Sequence, residues 1–155
     1  MRITASTTGS DTRTSLLHEI GHYVHHNALS NAPQSGQGWG RDENMPDDMR
    51  AWLTAANNSK IVKGLRRALR NDGRIDMGDG TSIRINSDFL TYATSSEELW
   101  ARSFSQYVAT RSGNETLLQE LREAQRGIDS WDDKDFAPIA EAMDQLFRGR
   151  GWLRP

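Results

Sequence analysis

Apolar residues recur at intervals of three and four along most of this 155-residue chain, the spacing that gives a helix one buried stripe. Residues 12–27 carry Leu16, Leu17, Ile20 and Val24, with Ala28 just beyond, and are predicted to form a first amphipathic helix. Ser10 or Asp11 is placed to cap its start. From Leu29 the periodicity stops. Residues 29–44 are rich in Ser, Asn, Gly and Pro, so a long loop is expected there, and loops of this length are often functional. Pro46 suits the first turn of a short helix reaching residue 57. Residues 59–71 follow as a second helix, with Ile61, Val62, Leu65, Ala68 and Leu69 inward and Gly73 ending it.

The period then changes to two. Arg74-Ile75-Asp76-Met77 and Ser82-Ile83-Arg84-Ile85 alternate about Asp79-Gly80, the pattern of a small hairpin with a tight turn. Thr94 and Glu97 have capping-box spacing for a helix running to residue 110, whose apolar face holds Leu99, Trp100, Phe104, Tyr107 and Val108. Asn114 is placed to cap another helix to residue 126. A last one is expected from Asp135, carrying Ile139, Met143, Leu146 and Phe147 before Gly149-Arg150-Gly151 stops it. The expected fold class is therefore mainly α, formally α+β, with one small β-hairpin in a single compact domain over residues 1–155.

Composition narrows the function classes. Hydrophobic residues make up 35% and charged residues 26% of the chain, with a mean hydropathy of −0.74. No apolar run approaches the roughly 20 residues that span a bilayer, so no membrane partner is expected. The first ten residues are polar and lack the apolar core of a secretory signal. A net charge of −2 gives no global attraction to nucleic acid. Cysteine is absent, which removes disulfides and thiolate ligands, so any metal must be held by His, Asp or Glu.

Against that background His18-Glu19-Ile20-Gly21-His22 is the most informative stretch. Residues four apart on a helix point the same way, so His18 and His22 can direct two imidazoles at one ion with Glu19 beside them. Neutral imidazole is a good ligand for Zn2+, and two such ligands leave room for a third and for water. Zinc lowers the pKa of its water toward about 7, and a carboxylate nearby can take the proton and pass it to a leaving amine. The expected chemistry is amide hydrolysis with Glu19 as general base. Gly21 adds support, because a glycine inside a helix costs about 1 kcal/mol relative to alanine and calls for a packing or access reason. His25 lies on nearly the same face, but a third ligand so close along one helix would crowd the ion against the backbone. We therefore expect His25 to pack or to support the ligands through hydrogen bonds, and His26 to face solvent.

The segment Tyr92-Ala93-Thr94-Ser95-Ser96-Glu97-Glu98-Leu99-Trp100-Ala101-Arg102-Ser103-Phe104-Ser105-Gln106-Tyr107 resembles the second motif of gluzincin metallopeptidases. It is similar to anthrax lethal factor-like peptidases and to peptidase domains of phages and polymorphic toxins. That resemblance implies a zincin-like helical domain, Glu98 as the third metal ligand, and Tyr92 as a hydrogen-bond donor to the oxyanion that develops during hydrolysis. It further implies a protein or peptide substrate, a toxin or effector role, and a cognate inhibitor or immunity protein as partner. The absence of cysteine suits the reducing cytoplasm, and the resemblance suggests delivery into a target cell by a non-Sec route. Glu97 is read only as a favourable residue at a helix start. The likeness covers the two motif helices and little between them. Arg102 stands where the lethal-factor pattern has an acidic residue that orients a ligating histidine. Strands that usually precede the motif helix are also missing, so either the hairpin supplies the substrate-binding edge or the domain is excised from a longer polypeptide.

Two alternatives come from other features. Lys60, Lys63, Arg66, Arg67, Arg70 and Arg74 form a local basic patch, as a nucleic-acid-binding domain would need, although a solvated basic helix face is the ordinary cause. A non-catalytic, metal-stabilised interaction module is the other, but such sites usually close with four protein ligands. Trp39 in the long loop could contact substrate at the rim or simply pack.

Overall fold

The computed structural model describes residues 11–29, 45–76, 78–127 and 130–154. Ser10, residues 30–44 with Trp39, and Met77 lie outside the described residues. The described residues form seven α-helices and one two-stranded antiparallel sheet, the mainly helical architecture with one hairpin that the periodicities predict.

Helix α1 spans Asp11–Ala28. A 3-10 turn, Asp47–Met49, follows Pro46 and runs straight into α2, Arg50–Asn58. Helix α3, Lys60–Arg70, is capped by Ser59, whose hydroxyl accepts from the Val62 N–H. At its end Gly73 has φ +79°, and a Cβ there would fall 2.0 Å from the Ile85 carbonyl oxygen. Only glycine lets the chain turn into the hairpin so close to its far end. Strands β1, Arg74–Asp76, and β2, Ser82–Arg84, pair with Ile75 opposite Ile83. Both strands stay largely exposed.

The polar run after the hairpin forms α4, Ser87–Ala93, a helix the periodicity does not reveal. Asn86 caps it by accepting from the Asp88 and Phe89 N–H groups. Its presence moves the start of α5, Ser96–Ser112: Thr94 ends α4, and Ser95 rather than Thr94 caps α5. Helix α6 spans Glu115–Ala124 behind its Asn114 cap. Helix α7, Asp133–Gly149, starts two residues earlier than expected because the Asp132 carboxylate, not a later group, accepts from the Asp135 N–H.

The main core lies among α2, α5 and α7, where Trp52, Trp100, Tyr107, Met143 and Phe147 are buried together. Their rings meet edge to face, with centroids 5.2 Å apart for both Trp52–Trp100 and Tyr107–Phe147, the arrangement that ring quadrupoles favour. A smaller cluster of Leu65, Ala68, Leu90 and Ala93 joins α3 to α4. The most extensive helix pairing is α1 with α5.

Helix α1 buries only part of the stripe expected of it: Leu17 and Val24 are half-buried, Val24 against the main core. Leu16 and Ile20 are exposed, as is Ala28, while Gly21, His25 and Leu29 are buried. The face turned to α5 carries the histidines, so a packed polar surface replaces part of the apolar one. His26 is half-buried rather than free in solvent.

Candidate metal centre

The closeness of α1 and α5 starts with Gly21. A Cβ at that position would sit 2.9 Å from the Ala101 Cα and 3.1 Å from the Ala101 carbonyl oxygen, tighter than packed atoms allow. The missing side chain lets the two backbones touch. The Trp100 indole N–H then donates to the Gly21 carbonyl at 3.0 Å in the buried interface, which fixes the rotation of each helix against the other. The start of α1 is held too. Buried Glu120 on α6 accepts from the Thr14 N–H at 3.2 Å, and the Ser105 hydroxyl donates to the Thr14 carbonyl.

This crossing brings His18 and His22 on α1 to Glu98 on the first turn of α5. His18 Nε2 and His22 Nε2 are 3.2 Å apart, and Glu98 Oε2 lies 3.3 Å from the first and 3.5 Å from the second. A tetrahedral zinc with bonds of about 2.0–2.1 Å has ligand–ligand edges of about 3.3–3.4 Å. The three atoms therefore form a triangle of the size of one face of such a tetrahedron. Glu98 is buried, and its Oε2 has no hydrogen-bond partner. A buried carboxylate oxygen without a hydrogen bond is costly, and a cation between it and the two imidazoles would offset that cost. The donor set fits a divalent metal ion, and these residues form a group that could hold one.

The electrostatics agree with an anionic site facing two imidazoles. Burial pushes the Glu98 carboxyl upward, yet the imidazoles of His18 and His22 and the Tyr92 hydroxyl outweigh it and hold it down at about 2. His22 is raised from its ordinary value, chiefly by the same carboxylate and against its own desolvation. Tyr92 is raised as well, by burial first and then by Glu98. The phenol therefore keeps its proton and remains a donor. His25 behaves differently: desolvation, followed by the neighbouring His26 and His22, lowers it to about 4, so it is neutral near pH 7. It packs in the α1–α5 interface and takes no part in the triangle.

The remaining anticipated residues also gather here. Glu19 is exposed and, with His18, Glu98 and Arg102, borders a cavity of about 430 Å3 that continues past Ser105 and Gln106 to Trp131. Tyr92 sits on the last turn of α4, about half exposed, with its hydroxyl toward Glu98. Glu97 is half-buried on the first turn of α5 and outside the triangle.

Trp131 escapes the sequence reading altogether. It is buried, its indole N–H donates to the Ser59 hydroxyl, and its carbonyl accepts from Gln106 and Gln125. A lone aromatic between helices gave no periodic signal that could have marked it as a wall of the cavity. Comparison with family models, with curated proteins and with solved structures found no match for this chain.

Proposed function

We propose that this chain is a zinc-dependent metallopeptidase, with His18, His22 and Glu98 holding the metal and Glu19 acting as general base. The observation that carries this reading is the 3.2–3.5 Å triangle of His18 Nε2, His22 Nε2 and Glu98 Oε2 beside a cavity that Glu19 borders. Two imidazoles and one carboxylate, without thiolate, suit zinc, and three protein ligands leave the open coordination position typical of catalytic rather than structural sites. When bound, the cation supplies Lewis acidity and a water acidified toward a pKa of about 7.

The chain's own residues supply the rest. Glu19 is one residue along α1 from His18, so its carboxylate stands on the cavity side of the ligands, where it can accept a proton from water and return it to the departing amine. Tyr92, held in its protonated form, offers an O–H to negative charge developing on a carbonyl oxygen. Glu98 stays ionised and accepts throughout. The cavity of about 430 Å3 has room for a side chain flanking the reacting bond, and the choice of a peptide substrate rests on the resemblance of the α5 segment. A toxin or effector role with a cognate inhibitor rests on the resemblance of the α5 segment alone.

The test pairs metal analysis with one substitution. Purified protein should carry stoichiometric zinc and cleave members of a mixed peptide library, monitored by mass spectrometry. Glu19→Gln should keep the zinc and the fold but lose at least about 100-fold in turnover. Undiminished cleavage by that variant would remove Glu19 from the mechanism.

A further inference from the structure

We infer that Arg102 is the positioning residue of this centre: it holds the second oxygen of Glu98 so that the first alone faces the histidines. The inference rests on the metal site proposed above.

Arg102 lies one turn after Glu98 on α5, and its guanidinium is engaged on three sides. Its Nε lies 3.5 Å from Glu98 Oε1, the oxygen outside the histidine triangle. Its Nη2 donates to the carbonyl of Ala93, the last residue of α4 and the neighbour of Tyr92. Its Cζ stands over the Trp131 ring, 5.6 Å from the centroid. The Arg102 and Glu98 side chains are 12% and 8% exposed, so little solvent screens the pair.

The two carboxylate oxygens are thereby given different tasks. A glutamate on a helix's first turn can rotate about its terminal torsion, which has broad minima, and could offer either oxygen, or both, to a cation. With Oε1 in an ion pair with Arg102 and Oε2 facing the two histidine nitrogens, the arrangement favours single-oxygen ligation. The Ala93 bond extends the same control to α4, since it ties the turn carrying Tyr92 to the residue that orients Glu98. Trp131 closes the arrangement. It is itself fixed by Ser59, Gln106 and Gln125, so the guanidinium rests on a rigid wall.

Lysine could supply the charge but not the geometry. Its ammonium is a point charge without a planar fork, so it cannot meet Glu98 and Ala93 while stacking on Trp131. Partners that orient a ligand typically change metal affinity by about 10- to 100-fold when removed, while leaving the number of direct ligands unchanged.

The experiment uses Arg102→Met and Arg102→Lys in the full chain, with three readouts: zinc affinity by chelator competition, the visible spectrum of the cobalt(II)-loaded protein, and thermal melting of the metal-free form. Arg102→Met should weaken zinc binding by about 10- to 100-fold and alter the cobalt spectrum, because the carboxylate is free to change its mode of ligation. Arg102→Lys should recover part of the affinity but keep the altered spectrum. A folded Arg102→Met with parental zinc affinity and an unchanged cobalt spectrum would overturn the inference. If that variant fails to fold, Arg102→Lys decides, and a parental spectrum there has the same consequence. Failure of the wild-type chain to bind zinc or cobalt would instead sink the metallopeptidase reading itself.

Discussion

Helices α1 and α3 are both packed on one side, yet they use their faces in opposite ways. Helix α3 turns Val62, Leu65 and Ala68 inward and leaves Lys60, Lys63, Arg67 and Arg70 exposed, so the basic patch is the outer face of an ordinary amphipathic helix. Helix α1 leaves Leu16, Ile20 and Tyr23 exposed and turns Gly21, His22 and His25 toward α5. A helix that serves packing obeys the hydrophobic pattern. A helix that presents ligands inverts part of it, because the side chains that do chemistry must occupy the interface where a second helix can meet them.

The sharpest test of this contrast removes the residue on which the two motif helices converge. Glu98→Ala should lose zinc affinity by more than the roughly 100-fold typical of a supporting partner, read by chelator competition, with helicity retained in circular dichroism. If Glu98→Ala still bound zinc as tightly as the parent, the metal centre would have to be rebuilt without α5.

The inverted face should also make α1 sensitive to acid. His25 is buried and its folded-state value is about 4, below the ordinary 6.5. Between those values the unfolded chain binds a proton that the folded chain refuses. Stability from this residue is therefore complete above about pH 6.5 and falls as the pH drops toward 4, by up to about 3 kcal/mol. Denaturant unfolding of the metal-free protein at several pH values, compared with His25→Leu, isolates it. Equal pH slopes for the two proteins would show that His25 is not the titrating group.

The smallest expected effects come from two helical glycines, and they should have opposite signs. At Gly21 a Cβ meets backbone of Ala101 at 2.9 Å. Overpacking costs about 1–3 kcal/mol against about 1 kcal/mol of helix propensity gained, so Gly21→Ala should lose stability on the order of 1 kcal/mol. At Gly64 a Cβ meets nothing within 4 Å, so Gly64→Ala should gain about 0.5–1 kcal/mol. Thermal melts of both variants suffice; stabilisation by both would mean that the α1–α5 crossing tolerates separation.

Local signals made much of this legible beforehand. The spacing of His18 and His22 put two imidazoles on one helical face, an interior glycine pointed to a close approach, and alternation about Asp79-Gly80 marked the hairpin. The resemblance of the α5 segment singled out Glu98, which lies in the triangle. Helix α4 was missed because its seven residues are too few to show a period, and Asn86 before Ser87-Asp88 was the overlooked capping signal. Missing α4 also misplaced the α5 cap, since Thr94 and Ser95 are adjacent candidates and only the preceding helix decides between them.

The sequence by itself determined the longer elements and the ligand types: helical spacing, a cysteine-free donor set and a carboxylate beside His18 are properties of near neighbours. Only the tertiary structure decided that Glu98 Oε2 comes within 3.3 Å of His18, that Arg102 meets the other oxygen rather than a histidine, and that Trp131 walls the cavity. The first of those contacts joins residues 18 and 98, which are 80 positions apart. Such distances depend on how two helices cross, and that crossing is set by the absent side chain at Gly21 and the Trp100 bond to its carbonyl; the glycine is visible in the sequence, but the backbone it lies against is not.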